Sequence, residues 1–243
     1  MKLRYDLHLH SCLSPCGDDG ATPADIAGFC ALAGVQVAAL SDHNSTRNCP
    51  AFLEAAAAYG VLALPAMELT TAEEVHVLCL LPDLAAAEAL EELVHARLPG
   101  VRNRPAVFGN QWVMDAGGRL VAEEAQLLIA AAGIGVYEVR DLVEGLGGAA
   151  VPAHIDRDAF SVLSNLGALP PDLGFRTVEL SREADRAALL AADPSLRGLA
   201  VLVNSDAHRL ADIPDAAASL TVPEATPQAV LAAIRSGAGL ERL

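Results

Sequence analysis

Leu3-Arg4-Tyr5-Asp6-Leu7-His8-Leu9-His10 opens the chain as a strand that ends in two histidines. Their two-residue spacing puts both imidazoles on one face. Outward from that stretch, strand and helix signals alternate. Thr22-Pro23 supplies an N-cap and a proline at the first helical position, the helix runs to about Ala33, and Gly34 closes it. Val35–Leu40 reads as a second strand, Pro50–Tyr59 as a helix, Val61–Met67 as a third strand, Val75–Leu81 as a fourth and Leu84–Arg97 as a helix. Further strands are expected at Ala149–Ala153, Arg176–Leu180 and Leu199–Asn204. Further helices are expected near Glu123–Ala132, Tyr137–Leu146, Arg157–Asn165, Arg182–Ala192 and Pro227–Arg235. This alternation predicts an α/β fold, a barrel of parallel strands ahead of an open doubly wound sheet.

The 243 residues include 53% apolar side chains, enough for a core, which excludes general disorder. They read as one domain over 1–243, with a loop and helix excursion at about 99–148. Within it Pro99–Leu120 carries four glycines, two prolines and the only tryptophan, Trp112, and long loops in compact domains are usually functional. Sixteen basic against 31 acidic residues give a charge of −15, which argues against a partner that is long nucleic acid. The start has no signal-type apolar region, and no run reaches the length of a membrane span. Cys12, Cys16, Cys30, Cys49 and Cys79 read as reduced thiols, so a cytoplasmic location is expected. Lys2 is the only lysine.

Six of the seven histidines stand beside other ligand-type residues at or near strand ends. His8 and His10 end strand one; His43 follows strand two in Ser41-Asp42-His43-Asn44; Glu68 ends strand three. His154 follows Val151-Pro152-Ala153, and Asp206 and His208 follow the strand that ends at Asn204. The C-terminal mouth of a barrel is where that architecture gathers its chemistry. His76 begins strand four, with only seven residues between it and Glu68. That is too short for a parallel crossover of about a dozen residues. Strand four must therefore run antiparallel, which returns His76 to the cluster. Imidazoles mixed with carboxylates suit zinc, manganese or iron, and about nine such residues suit two or three divalent ions sharing carboxylates. His95, in a helix among glutamates and arginine, reads as a surface residue.

With these pieces in place the sequence resembles the PHP (polymerase and histidinol phosphatase) superfamily of metal-dependent phosphoesterases. The resemblance rests on Asp6–His10, Ser41–Asn44, Met67-Glu68, Val75–Val77, Pro152–His154 and Ser205–His208, in the family's order across nearly the whole chain. It implies a distorted (β/α)7 TIM-like barrel with a trinuclear site at the C-terminal mouth. The implied ligands are His8, His10, Asp18, His43, Glu68, His76, His154, Asp206 and His208. His8, His10, Glu68 and Asp206 would hold one ion, Asp18, His43 and His208 a second, and Glu68, His76 and His154 a third. Asp18 is favoured over Asp19 because it stands five residues before Pro23. Relatives that hydrolyse nucleotides carry a long insertion before the His154 motif; here that stretch is short.

The expected reaction is hydrolysis of a phosphoester of a small phosphorylated metabolite or short nucleotide by metal-activated water. Asp206 and His208 are candidates for moving the proton. Phosphate recognition calls for arginine: Arg157, Arg47 and Arg209 lie nearest the motifs, with Arg102 and Arg104 in the central loop. Cys12-x₃-Cys16 and Cys49 are poor thiolate ligands at this spacing, Trp112 reads as loop packing, and Gly133-Ile134-Gly135 fits no dinucleotide fingerprint. Two other classes compete. One is an amidohydrolase, whose carboxylated-lysine form is excluded because Lys2 precedes strand one. The other is a non-catalytic metal-binding regulatory module.

Overall fold

The computed structural model describes residues 1–216 and 218–243. In chain order the elements are β1 (Lys2–Leu9), α1 (Pro23–Leu32), β2 (Val37–Leu40), α2 (Cys49–Ala58), β3 (Leu62–Thr70), β4 (His76–Leu80) and α3 (Leu84–His95). Next come α4 (Pro105–Phe108), β5 (Trp112–Met114), β6 (Leu120–Glu123), α5 (Val136–Gly145), β7 (Ala149–Pro152) and α6 (Val162–Leu166). The chain finishes with β8 (Thr177–Leu180), α7 (Arg186–Ala192), β9 (Ala200–Val203), β10 (Ser219–Thr221), α8 (Pro227–Ser236) and β11 (Glu241–Arg242).

Local sequence explains the first units. The Thr22 side chain accepts from the Asp25 amide and Pro23 begins α1, while Gly34 takes the left-handed φ of 74° that turns the chain into β2. β1, β2 and β3 pair in parallel. β4 is antiparallel to β3, with Glu68 opposite Leu78 and Thr70 opposite His76, as the short connection requires. β7 pairs antiparallel with β4 and so runs with the first three strands. β8 and β9 form a second parallel pair.

Two seams close these seven strands into a distorted barrel. Between β7 and β8 the Ile155 amide donates to the Glu179 carbonyl at 2.9 Å. Between β9 and β1, side chains replace a backbone ladder. The Val203 amide donates to the Tyr5 hydroxyl at 3.1 Å, and the Leu7 amide donates to Asn204 Oδ1 at 2.8 Å. Buried backbone groups at a broken sheet edge must find such partners.

The barrel interior has two ends. Leu64 and Ala66 share a strand face with Glu68, and Leu78 and Leu80 share one with His76. These apolar residues pack with Leu3, Tyr5, Leu7, Val37 and Ala39 and with Val230, Leu231 and Ile234 of α8, which covers that end. A register shift between Asp6 and Leu9 lies just before the polar end, where the histidines collect.

The helix expected over Glu123–Ala132 does not form: β6 ends at Glu123 and an irregular segment leads to α5. Tertiary hydrogen bonds override its helix-favouring composition. The Gln111 side-chain amide donates to the carbonyls of Glu124 and Gln126, and the Asn44 amide donates to those of Leu128 and Ala130. The excursion is a β5–β6 hairpin. Asn48 holds β5 by donating to the Trp112 carbonyl and accepting from the Met114 amide. The helix expected from Arg157 shrinks to α6, because Ser161 caps it only there. α7 likewise starts late, at Arg186, after its Asp185 cap.

Candidate metal centre

Each side chain of the centre is delivered by the polar end of a barrel strand or by the turn that follows it. Glu68 projects from β3 and His76 from the first position of β4. His43 leaves β2 and bridges in parallel to Glu68. His154 and Asp206 follow β7 and β9 with φ of 29° and 52°. Non-glycine residues adopt that left-handed region at a cost of order 1–3 kcal/mol, which the surrounding structure must offset.

Glu68 is the hub. It is buried, and five imidazoles converge on its two oxygens. Oε1 lies 2.9 Å from His76 Nδ1, 3.1 Å from His154 Nε2 and 3.3 Å from His8 Nε2. Oε2 lies 3.0 Å from His43 Nδ1 and 3.3 Å from His10 Nε2. Asp206 Oδ1 faces His10 Nε2 at 3.1 Å and His8 Nε2 at 3.3 Å. Donor atoms of His8, His10, Glu68 and Asp206 lie within 4.8 Å of one another, as do those of His43, Glu68 and His76 and those of His10, His43 and His208.

The donor set fits cations. His8 Nε2, His10 Nε2, His43 Nδ1 and Asp206 Oδ1 are buried and have no hydrogen-bond partner among the described residues, although carboxylate and imidazole atoms stand close by. Such orphaned atoms are costly unless something positive lies between them. The charge distribution makes the same demand. Burial works against ionisation of Glu68, but the histidines around it hold its carboxyl well below the usual range; burial likewise opposes ionisation of Asp206, and His8 and His10 pull it low. Burial opposes charge on His10 and His43 too, yet the facing carboxylates push both up to about 9. His208 is pushed down to about 3, by burial first and then by His10. Two ionised carboxylates therefore require positive charge at this point, as protons on these rings or as divalent ions in their place.

Behind the cluster lies a second layer that sequence reasoning did not single out. Glu179 on β8 reaches His8 Nδ1, and Ser14 Oγ lies 3.0 Å from His10 Nδ1 while donating to Asp42 Oδ1 at 2.7 Å. The only sequence signal for Glu179 is an acid inside the apolar run Val178-Glu179-Leu180. Burial and hydrogen bonding likewise set Asp6 apart, for burial pushes its carboxyl up to about 6. Phe160 stacks on His76 at 4.8 Å between centroids with an interplanar angle of 21°.

The arginines divide. Arg157 reaches the cluster, with one guanidinium nitrogen 2.6 Å from Asp206 Oδ2. Arg47 instead pairs with Glu124 at 2.5 Å and lines a concavity with Glu91 and His95. Arg209 and Arg102 are exposed, and Arg104 lies over the Phe108 ring at 5.6 Å. Asp18 is beside the site through its backbone, whose amide donates to the His208 carbonyl, while its exposed carboxylate accepts from the Gly20 amide. Asp19 accepts from Asn110. Cys12 and Cys49 are buried free thiols, and the exposed Cys16 thiol neighbours the His43 ring. His95 is paired with Glu91 at 3.1 Å, away from the cluster.

A seven-stranded α/β barrel that carries a buried, multi-histidine carboxylate centre at one mouth defines a class, and comparison with known proteins agrees with it. Residues 182–238 match the family model described as PHP-associated. That match lies in the C-terminal part of the chain and is a likeness to the PHP superfamily. No curated protein matches it at a significant level. Among solved structures, a lesion-specific endonuclease from Pyrococcus furiosus is 19% identical with a TM-score of 0.73, covering 100% of this chain and 58% of that one. A complex of endonuclease Q with a 27-mer duplex bearing an abasic lesion is 19% identical with a TM-score of 0.70 and the same coverage. A protein from Bifidobacterium adolescentis, described as a "putative metal-dependent phosphoesterase", is 20% identical with a TM-score of 0.58, covering 84% of this chain and 87% of that one. The chain thus spans little more than half the length of the endonuclease chains, and these likenesses are likenesses of fold. Among the described residues no helix is long and apolar enough to cross a membrane.

Proposed function

We propose that the protein, as a single barrel domain with its 99–148 excursion, is a metal-dependent phosphoesterase acting on a small phosphorylated metabolite or short nucleotide. One observation carries the reading: three groups of donor atoms overlap, two of them through Glu68, and the Arg157 guanidinium stands at their edge on Asp206. In this reading His8, His10, Glu68 and Asp206 hold one divalent ion. Asp18, His43 and His208 hold a second, and Glu68, His76 and His154 hold a third; zinc, manganese and iron all suit these donors. The proximity of His10 to His43 and His208, and of His43 to Glu68 and His76, supports the sharing of ligands between neighbouring ions. Ions bound there supply Lewis acidity toward phosphoryl oxygens and a nucleophile from water at neutral pH.

The chain's own groups do the rest. Arg157, half-exposed, turns its two-pronged guanidinium from Asp206 to the non-bridging oxygens of the phosphoryl group. Asp206 and His208, the latter with its side chain 28% exposed, are ligands in this reading and also the candidates for moving the proton released by water. Arg209, exposed beside His208, steers the anion. Arg47 is the weaker candidate, because Glu124 already neutralises it. The charge of −15 favours a small anion over a long polyanion, and the five free cysteines suit a reducing cytoplasm.

The test is metal-reconstituted protein offered a phosphomonoester, a phosphodiester, a duplex with an abasic lesion and a cyclic amide, with bound metal counted. Hydrolysis of a small phosphoester, abolished in His8→Ala, is expected. Turnover of the amide alone would move the protein to the amidohydrolases. Identical behaviour of wild type and His8→Ala on every substrate would leave a non-catalytic metal-binding module.

A further inference from the structure

We infer that Glu179 is a positioning residue of the metal centre, holding His8 with its proton on Nδ1 so that Nε2 presents a lone pair toward Glu68 and Asp206. The inference rests on the metal site proposed above but not on the reaction assigned to it.

Glu179 lies on β8 and is only 2% exposed. Its oxygens stand 2.9 and 3.0 Å from His8 Nδ1. An ionised carboxylate can only accept, so Nδ1 must be the protonated nitrogen. The opposite nitrogen, Nε2, is buried, lacks any hydrogen bond, and lies 3.3 Å from both Glu68 Oε1 and Asp206 Oδ1. A ring held in this way is turned edge-on to the centre, with one rotamer and one tautomer.

The other contacts of Glu179 join the segments that carry further ligands. Oε2 accepts from the backbone amide of His154 at 3.0 Å, and Oε1 accepts from the Asn204 side chain at 2.6 Å. His154 has the left-handed φ of 29°, and Asn204 stands two residues before Asp206. One carboxylate thereby ties β1, the turn after β7 and the turn after β9 across the two seams where the barrel lacks a ladder. Among the described residues no arginine or lysine pairs with it. A buried carboxylate without a counter-charge is unfavourable. Its compensation comes through the His8 ring, from whatever cation stands at Nε2. His10 is served by a longer relay with a neutral middle member, Ser14, before the carboxylate of Asp42. The direct contact at His8 makes that ring the more electron-rich ligand of the two.

A plain structural staple would predict something different, and Ser181 provides the comparison. Ser181 ties the same β7–β8 seam by bonding Asp156 through its amide, at 2.8 Å, and through its hydroxyl, and among the described residues it makes no hydrogen bond to a proposed ligand. The experiment loads wild type, Glu179→Gln and Ser181→Ala with zinc alone. It measures ions per chain, zinc affinity by chelator competition, and the ¹⁵N-histidine spectrum of the loaded protein. Glu179→Gln is expected to weaken zinc binding about 10- to 100-fold. Ser181→Ala should lower the unfolding temperature with affinity unchanged. The wild-type spectrum should show His8 with its proton on Nδ1 and zinc on Nε2. Affinity in Glu179→Gln that matches wild type or falls no further than in Ser181→Ala overturns the inference, as does a His8 proton on Nε2. If Glu179→Gln fails to fold, the wild-type spectrum alone decides. Zinc binding as expected with no phosphoester hydrolysis sinks only the assigned reaction, whereas a wild type that takes up no zinc sinks both.

Discussion

Glu68 Oε1 and His76 Nδ1 stand 2.9 Å apart, although each faces a different residue across the β3–β4 ladder: Glu68 pairs with Leu78, and His76 with Thr70. The two are diagonal neighbours on one face of an antiparallel pair, a separation that long side chains span. Only the reversal of β4 makes this possible, since a parallel strand would begin at the far end of the barrel.

The position of Glu68 among five histidines sets the first prediction. Glu68→Gln keeps the size of the side chain and removes the charge that holds His43, and together with Asp206 also His10, up near 9. In the metal-free protein both histidines should titrate closer to the ordinary value near 6.5, followed by NMR. Metal content should fall, and phosphoester hydrolysis should drop by more than about 100-fold, beyond what outer partners of a metal ligand cost. Wild-type metal content in this variant would remove Glu68 from the centre.

Arg157→Ala separates substrate binding from metal binding. Losing hydrogen bonds to a charged group costs about 1.5–3 kcal/mol, so KM for a phosphoester should rise about 10- to 100-fold with metal content unchanged. Arg157→Lys should recover only part of the loss, because an ammonium lacks the two-pronged geometry. An unaltered KM in both variants means that Arg157 serves only Asp206.

Metal should stabilise the fold strongly. A ligand at about 1,000 times its Kd adds about 4 kcal/mol to a native state that alone binds it. For a chain of this size that raises the unfolding temperature by roughly 10 °C. Scanning calorimetry with zinc and then with excess chelator reads this directly, and a melting curve indifferent to both argues against an assembled centre.

The Glu91–His95 pair on α3 gives a pH dependence outside the centre. Burial works against Glu91 ionisation, but His95 and the Thr46 amide hold its carboxyl below the ordinary range, and Glu91 raises His95. Stability from the raised histidine is complete below its unfolded value near 6.5 and is lost as pH rises through the folded value. Stability from the lowered carboxyl is complete above about 4.5 and is lost as pH falls. The pair therefore helps most between about pH 4.5 and 6.5. His95→Ala should cost up to about 1 kcal/mol at pH 5.5, since the pair is partly solvated, and nearly nothing at pH 9. Urea melts at the two pH values check it.

Asn44→Ala tests what holds the excursion. Asn44 is buried with φ of 48°, donates to the carbonyls of Leu128 and Ala130, and accepts from the Thr70 amide at 2.9 Å. Leaving those groups unpaired should cost about 3 kcal/mol, read as a lower urea midpoint with unchanged slope. A loss under about 0.5 kcal/mol would show that water replaces the amide without penalty.

Much of the frame was legible in the sequence, because strand alternation, proline at N1 and glycine at the helix end act over a few residues. The His8/His10 pair, the reversed β4 and the gathering of Glu68, His43, His76, His154, Asp206 and His208 all follow from such local rules applied strand by strand. The same rules misread Glu123–Ala132, where helix-favouring residues lose to distant amides from Gln111 and Asn44. They also proposed Arg47 for phosphate, whereas Glu124, 77 positions away, holds it elsewhere.

By itself, then, the sequence determined the order of the seven barrel strands and the histidines and carboxylates at the barrel mouth, since periodicity and connection length are properties of neighbouring residues. Tertiary structure alone decided how those side chains are held. Glu179 reaches His8 across 171 positions, and Arg157 rather than Arg47 stands over Asp206. The reason is barrel closure: a carboxylate in an apolar strand acquires its partner only when β8 comes to lie near β1, and no local pattern encodes that meeting.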